Sequence, residues 1–335
     1  CDARCEMCSN WKRGDRKSDM SLEEIERAFS SPFWRYIENA NVSGGEPTTR
    51  NDLVDICRVM LGKLPRLRKF GLNTTGLTPH RAIPMLTDIV KMCAERDIIF
   101  SFRVSIDGVG EMHNDVRQVP RGFEKANETI RAMQALQRDY PFNFGISTTI
   151  FSQNLDDADN ILDWARGENL DIVFNMVRFT DPMLGNSDLA DSCKPVGAEE
   201  EQMRQFFLDR VRIDPLLDGQ NYIYMHYADM IANGYHRLAP CPFQTQGIML
   251  NPDGGMFFCE NSEVVGNVRD TDPGEIYFSP ESQAHRDYIK NDQCPTCLSP
   301  CQMNVAAIKQ VVPYAKFLAR ASREKRKHRR VSATA

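Results

Sequence analysis

The 335-residue chain has no apolar run of about 18 residues, the least that a membrane-spanning helix needs, and no charged n-region followed by an apolar h-region. Membrane insertion and secretion therefore lack support, and a cytoplasmic protein is expected. An excess of positive charge is also missing: 41 Lys and Arg stand against 46 Asp and Glu, a net charge of -5. Such a balance offers no general attraction to nucleic acid or to an anionic membrane surface. The exception is a basic run at residues 320–330, RASREKRKHRR. It reads as a solvated helix end or frayed terminus rather than a nucleic-acid patch, because no other basic segment joins it. Internal repeats and extended low-complexity segments are lacking as well, and 41% hydrophobic with 26% charged residues is ordinary for a folded globular chain.

What the chain does have is cysteine. Eleven cysteines in a small secreted domain would suggest a disulfide framework, but in a chain this long without a secretion signal they suggest metal ligation. Eight fall in two groups, Cys1, Cys5 and Cys8 at the start and Cys241, Cys259, Cys294, Cys297 and Cys301 late. Cys57 and Cys93 lie in amphipathic helical patterns, where cysteine behaves as a small buried apolar residue. Cys193 lies in a polar loop.

The first two-thirds alternates β-rich runs (39–43, 69–73, 98–106, 142–150 and 171–178) with apolar-periodic stretches (52–61, 79–96, 123–139 and 155–169). That alternation predicts βαβ units on a parallel sheet. Ser21 with Glu24 forms a capping box that opens an earlier helix through about residue 30. No strand precedes that helix, and one is expected ahead of Cys1; counting it, six βα repeats predict an α/β fold, a partial (β/α)6 TIM-like barrel with functional loops at the carboxyl ends of its strands. The boundaries expected are 1–180 for the barrel, 181–240 for a helical linker with segments near 198–211 and 222–232, 241–320 for a small α+β cysteine-rich domain, and 321–335 for the basic tail.

Cys1-x3-Cys5-x2-Cys8 supplies three thiolates from one short loop. A [4Fe–4S] cluster normally takes four cysteines, so three leave one iron open to an outside ligand. A zinc knuckle would need a fourth Cys or His nearby, yet none occurs before Cys57, and the first histidine is His80. Ser43-Gly44-Gly45-Glu46-Pro47 ends the first strand: two glycines let backbone approach a ligand, Glu46 offers an acceptor for an ammonium, and Pro47 stiffens the exit. Asn73-Thr74-Thr75-Gly76 ends the next strand. Ser105-Ile106-Asp107-Gly108 follows, with His113, Asp115 and Arg117 behind it.

These elements resemble the radical S-adenosylmethionine (SAM) superfamily, with its CxxxCxxC motif, GGEP element and TNG-like element. The SLDG…HD..R signature is shared by those members with a C-terminal SPASM or twitch extension. One departure is Met7, where an aromatic residue commonly precedes the last cysteine; Trp11 is a candidate to compensate. The resemblance implies a SAM-binding [4Fe–4S] cluster on Cys1, Cys5 and Cys8, and SAM contacts from Gly44, Gly45, Glu46, Pro47, Asn73, Thr74, Ser105 and Asp107. His113, Asp115 and Arg117 read as a structural loop network. Thr148, Thr149, Asn175 and Arg178, at later strand ends, are expected to face the same cavity, with Arg178 either contacting substrate or pairing with a neighbouring acid.

Cys241-x12-Gly254-x4-Cys259 resembles the first half of the SPASM/twitch pattern in full, and Cys294-x2-Cys297-x3-Cys301 resembles part of its second half. Five thiols fit one auxiliary [4Fe–4S] cluster with one to spare, which favours the shorter twitch type. The expected ligands are Cys241, Cys259 and Cys301 with either Cys294 or Cys297. A zinc ribbon is the competing reading, since CxxC pairs bind zinc readily, and a non-catalytic zinc scaffold is the alternative from another functional class.

The resemblance implies reductive cleavage of SAM to a 5′-deoxyadenosyl radical, fed by an external one-electron donor such as flavodoxin or ferredoxin, and hydrogen abstraction from a small-molecule or peptide substrate. Oxidation or epimerisation of a small polar metabolite, such as an aminocyclitol or sugar, is the expected outcome. A ribosomal-peptide maturase is the runner-up. For epimerisation, Cys193 or the spare late cysteine would return a hydrogen atom.

Overall fold

The computed structural model describes residues 1–13, 16–237, 241–299 and 311–332. Five strands, β1 (Asn39–Val42), β2 (Lys69–Thr74), β3 (Ile99–Ser105), β4 (Asn143–Ile150) and β5 (Asp171–Met176), form one all-parallel sheet in sequence order. Each parallel step needs a helical crossover. These are α2 (Leu53–Lys63), α3 (Pro79–Ala94), α4 (Glu111–Arg117) with α5 (Gly122–Leu136), and α6 (Ala158–Gly167). Helix α1 (Leu22–Phe29) precedes β1, and its capping box forms as expected, with Glu24 N–H donating to Ser21 Oγ and Ser21 N–H to Glu24 Oε2.

Strand alternation decides what each face does. Phe70, Leu72, Phe100, Phe102, Phe144, Ile146 and Phe174 point toward the helices and are buried with Leu86, Ile89, Ile130 and Ile161. The opposite face carries Asn73, Arg103, Ser105, Ser147, Thr149 and Asn175 in register across β2 to β5. One sheet thus has an apolar side that holds the fold and a polar side free for a ligand.

The 181–240 stretch, expected as a linker, contributes α7 (Ala190–Cys193), α8 (Ala198–Ile213) and α9 (Gly219–Ala232). Helices α8 and α9 bury Phe206, Phe207, Tyr224 and Tyr227 in the same core as the sheet. They also close its edge, because the Phe174 N–H of β5 donates to Tyr224 Oη at 3.1 Å.

The C-terminal part is a three-stranded antiparallel sheet, β6 (Met249–Leu250), β7 (Gly255–Phe257) and β8 (Gly266–Asn267), followed by α10 (Pro273–Phe278) and α11 (Pro280–Tyr288). Its Met256, Val268 and Ile276 pack against Met20, Ile25 and Ala28, so α1 is the seat on which this domain docks. Finally α12 (Val311–Ser332) places much of the basic run on a helix that is docked: Phe317 and Ala321 are buried, Arg320 pairs with Asp229, and Glu324 with Arg212 at 3.0 Å.

Candidate functional site

The cysteine loop at 1–8 lies across the carboxyl edge of the sheet and is held by main-chain bonds. Arg4 N–H donates to Arg117 O and Glu6 N–H to Val116 O, both at 3.1 Å, so the loop is strapped to the last turn of α4. Asn186 Nδ2 donates to Met7 O at 2.8 Å from the loop that follows β5. Met7 itself is buried with Ala3, Leu77, Val116 and Phe151; at the position of the family's usual aromatic residue it acts as an apolar anchor.

Cys1 is exposed and Cys8 half-buried, while Cys5 is buried. Gly45 meets Cys1 so closely that a Cβ there would lie 3.2 Å from Cys1 Cβ, which brings the Gly44-Gly45 turn onto the cysteine loop. Gly44 has a φ of 135°, a conformation that favours glycine. Cys8 Sγ accepts from Asn10 N–H at 3.4 Å, and Cys5 Sγ from Arg117 Nη1 at 3.5 Å. Burial pushes the Cys5 thiol up, and the Arg117 guanidinium opposes that shift.

Two of the residues expected to meet SAM have partners within the protein. Glu46 is 5% exposed, and its carboxylate already accepts from Thr48 N–H, Thr48 Oγ1, Thr74 Oγ1 and Thr75 N–H. Three of these donors fall on Oε1 and one, Thr75 N–H, on Oε2, so Glu46 and Thr74 tie the loop after β1, which Pro47 continues as a short 3-10 turn, to the end of β2, while Oε2 keeps a lone pair for a further donor. Asp107 is fully buried; Oδ1 accepts from Thr149 N–H at 2.8 Å, and Oδ2 lies 2.5 Å from Arg117 Nη2. It holds Arg117 instead of presenting a carboxylate to a ligand. Burial works against the Arg117 charge, but Asp107 and Cys5 more than offset this and hold its pKa above the usual value.

His113 completes the network, as its Nδ1 accepts from Asp107 N–H at 3.1 Å. Burial, with Arg117 adding to it, lowers the His113 pKa to about 3, so the ring is neutral. Asn73 and Ser105 sit on the polar sheet face, together with Thr149 and Asn175. Thr148 does not join them: it lies on the helix side and donates to Ile106 O at 2.6 Å. Asp2 went unrecognised in the sequence. Its carboxylate accepts from Thr75 Oγ1 at 3.0 Å and Thr78 Oγ1 at 2.9 Å, pinning the cysteine loop to the end of β2.

The late cysteines gather from distant points in the chain. Cys241, Cys259, Cys294 and Cys297 line one enclosed pocket with Arg237, Phe258 and Glu260. Both Cys294 and Cys297 are therefore present, and Cys301 lies outside the described residues. Cys297 Sγ accepts from Asn261 Nδ2 at 3.2 Å and Ser299 N–H at 3.4 Å. Gly254, the motif glycine, has a φ of 89° and makes the turn from β6 to β7; a Cβ there would lie 2.6 Å from Asn267 Oδ1. A π-helical turn (Ile289–Gln293) delivers Cys294, a distortion common at functional sites.

Among the described residues no three His, Cys, Asp or Glu side chains gather closely enough to hold a single metal ion. A cubane takes its thiolates on separate irons, which an all-thiol donor set such as Cys1, Cys5 and Cys8, or the late cysteines gathered in one pocket, can supply. Cys57 and Cys93 are core residues, and burial pushes each to about 12.

A cleft of about 720 Å³ adjoins the auxiliary cysteine pocket, walled by Arg178, Thr180 and Ser187 from the loop after β5 and by Glu260, Asn261 and Cys297 from the C-terminal domain. Arg178 Nε lies 2.9 Å from Glu260 Oε2, which realises the neighbouring-acid alternative. Glu260 is 3% exposed, and its Oε1 has no hydrogen-bond partner. Cys193 is displaced from this picture: it is 5% exposed, packs under the cysteine loop with Ala3 and Met7, and directs its thiol to Glu6 O. It does not line the cleft, and burial pushes its pKa up.

Comparison with known proteins bears on the same two regions. A family model described as the Radical SAM superfamily matches residues 1–165, and one described as an iron-sulfur cluster-binding domain, SPASM, matches 241–302. An AdoMet-dependent heme synthase of Methanosarcina barkeri is 32% identical over 171 residues, half of this chain and 43% of that protein. The mycofactocin maturase of Mycolicibacterium smegmatis is 22% identical over 275 residues, 80% of this chain and 64% of that protein. The matches thus span 43% to 64% of these relatives' own length. The solved structure of anSMEcpe with bound AdoMet and the Kp18Cys peptide shares the fold, with TM-score 0.60 at 14% identity over 96% of each chain. No helix among the described residues is long and apolar enough to cross a membrane. The chain belongs to the radical SAM superfamily, as an enzyme with a SPASM domain whose cofactors are a SAM-binding [4Fe–4S] cluster and auxiliary iron–sulfur.

Proposed function

We propose that this enzyme oxidises a side chain of a polypeptide substrate held in the cleft between the loop after β5 and the SPASM domain. The observation that carries the reading is that this one cleft has the loop leaving the carboxyl end of β5 on one wall and the auxiliary cysteine site on the other. Its lining residue Cys297 belongs to both the cleft and the cysteine pocket. When bound, the two clusters supply an electron to cleave SAM into methionine and a hydrogen-abstracting 5′-deoxyadenosyl radical, and an acceptor for the electron left on the substrate.

The chain's own groups position and shield. Cys1, Cys5 and Cys8 hold the SAM-binding cluster, with Asp2 and α4 fixing their loop. Asn73 and Ser105 face the polar side of the sheet, where they are suited to SAM. Cys241, Cys259, Cys294 and Cys297, with Cys301 expected from the sequence, supply the thiols from which the auxiliary cluster takes its ligands. Glu260, fixed by Arg178 and buried with a free acceptor atom, suits a substrate that brings a hydrogen-bond donor. The likeness to the mycofactocin maturase over 80% of the chain supports the peptide class. A small polar metabolite is the second reading, supported by the cleft volume, which falls in the usual range for small-molecule sites.

The test is anaerobic incubation of the reconstituted enzyme with SAM, dithionite and short peptides that each carry one perdeuterated residue. Deuterium in 5′-deoxyadenosine together with a peptide lighter by two hydrogens supports the proposal. SAM cleavage with no transfer from any peptide, but transfer from deuterated sugars or aminocyclitols, overturns the peptide class in favour of the second reading.

A further inference from the structure

The protein side of Cys5 carries more charge than holding a loop requires. Arg117 is buried, donates from Nη1 to Cys5 Sγ at 3.5 Å, and places Nη2 2.5 Å from Asp107 Oδ2. Asp107 is in turn fixed by Thr149 N–H at 2.8 Å and supports His113 through its own N–H. The loop is already clamped to the same helix by two main-chain bonds, from Arg4 to Arg117 and from Glu6 to Val116. Burying a guanidinium and a carboxylate is costly before their attraction is counted, and apolar residues of similar volume often serve stability as well or better. Cys8, by contrast, receives the uncharged Asn10 N–H. Of the two motif sulfurs with a described donor, only Cys5 receives a charged one.

We propose that the Asp107–Arg117 pair sets the reduction potential of the cluster held by Cys1, Cys5 and Cys8, the guanidinium raising it and the carboxylate behind limiting the rise. This rests on those three cysteines being the ligands. In the step concerned, one electron from a low-potential donor such as reduced flavodoxin or ferredoxin adds to the cluster; no bond forms or breaks and no proton moves. The added negative charge is shared with the thiolate sulfurs, and hydrogen bonds and net charge at those sulfurs set cluster potentials. Arg117 touches the sulfur and so favours the reduced state. Asp107 stands one group farther away and disfavours it less strongly, since Coulomb energy falls with distance. Arg117 is thus a positioning and charge-setting residue, distinct from any contact to SAM or substrate.

The two members of the pair have opposite signs, which gives the experiment its discrimination. Full-length enzyme with both sites reconstituted is poised at a series of potentials and followed by electron paramagnetic resonance, reading the component that SAM perturbs, after iron and sulfide are counted. Arg117→Gln is expected to move the midpoint to more negative values, lowering the reduced-to-oxidised ratio at a fixed poise about tenfold, equivalent to about 59 mV for one electron. Asp107→Asn is expected to move it the other way, and Arg117→Lys, which keeps the charge, to fall between Arg117→Gln and the parent. Shifts of the same sign in Arg117→Gln and Asp107→Asn, or no shift in either, overturn the proposal. Loss of the cluster from both variants also overturns it, because the pair is then a structural clamp. Persistence of the SAM-sensitive signal in Cys5→Ala would instead refute the ligand assignment beneath it.

Discussion

The two cysteine sites are built in opposite ways. The first takes its thiols from eight consecutive residues, and the fold has only to lay that loop on the sheet edge and strap it there through α4, Asp2 and Asn186. The second collects Cys241, Cys259, Cys294 and Cys297 from segments up to 56 positions apart, using a glycine turn, a short antiparallel sheet and a π-helical turn. A local site is specified by spacing. A dispersed site exists only when its domain has folded, so cluster binding there is coupled to folding.

The sharpest way to break the comparison is to remove one ligand from each side. Cys5→Ala should abolish SAM cleavage while leaving the auxiliary cluster in place, read as 5′-deoxyadenosine by chromatography beside iron content. Cys259→Ala should do the reverse, retaining SAM cleavage, removing substrate oxidation, and lowering the thermal midpoint of the C-terminal domain more than Cys5→Ala lowers that of the barrel. Equal thermal losses would erase the distinction drawn here.

A smaller effect is expected at Gly254, whose φ and contact with Asn267 exclude a side chain. Gly254→Ala should destabilise the protein by about 1–2 kcal/mol and reduce auxiliary iron while SAM cleavage persists. Calorimetry and iron analysis check it.

The mildest test is pH. His113 is neutral when folded, with a pKa of about 3 against an ordinary value of 6.5, through burial and then Arg117. The unfolded chain therefore binds more protons between these values, and the stability contributed by the neutral ring is present above pH 6.5 and lost as pH falls toward 3. His113→Asn should flatten the acid limb of thermal midpoint against pH; an unchanged slope would remove His113 as its source.

Much of the fold was legible because its signals are local. The five strands, the crossover helices and the Ser21 capping box all follow from residue periodicity and end signals within a few turns. Side-chain direction at strand ends was harder. Thr148 and Thr149 are neighbours, yet one faces the helices and the other the polar cavity side, so a shift of one residue reverses the reading. Glu46 and Asp107 sit in the motif positions expected for SAM contacts, and their carboxylates also bind Thr48, Thr74 and Thr75, and Arg117 and Thr149. Apart from Thr48, these partners lie 10 to 42 positions away, which spacing does not reveal. Cys193, placed by its neighbours in a polar loop, is slid by the fold under the cysteine loop.

The sequence by itself determined the local chemistry: three thiols with an open fourth position, a parallel α/β frame, and a second cysteine group able to bind iron–sulfur. Only the tertiary structure decided that Cys294 and Cys297 line the same pocket, that Arg178 is paired with Glu260 across the cleft, and that a buried Asp107–Arg117 pair bears on Cys5 alone among the motif cysteines whose contacts are described. The physical reason is range. Ligand spacing and hydrogen-bond caps act within a few residues, whereas burial, and with it the strength of a charge, is set by whatever the rest of the chain brings alongside.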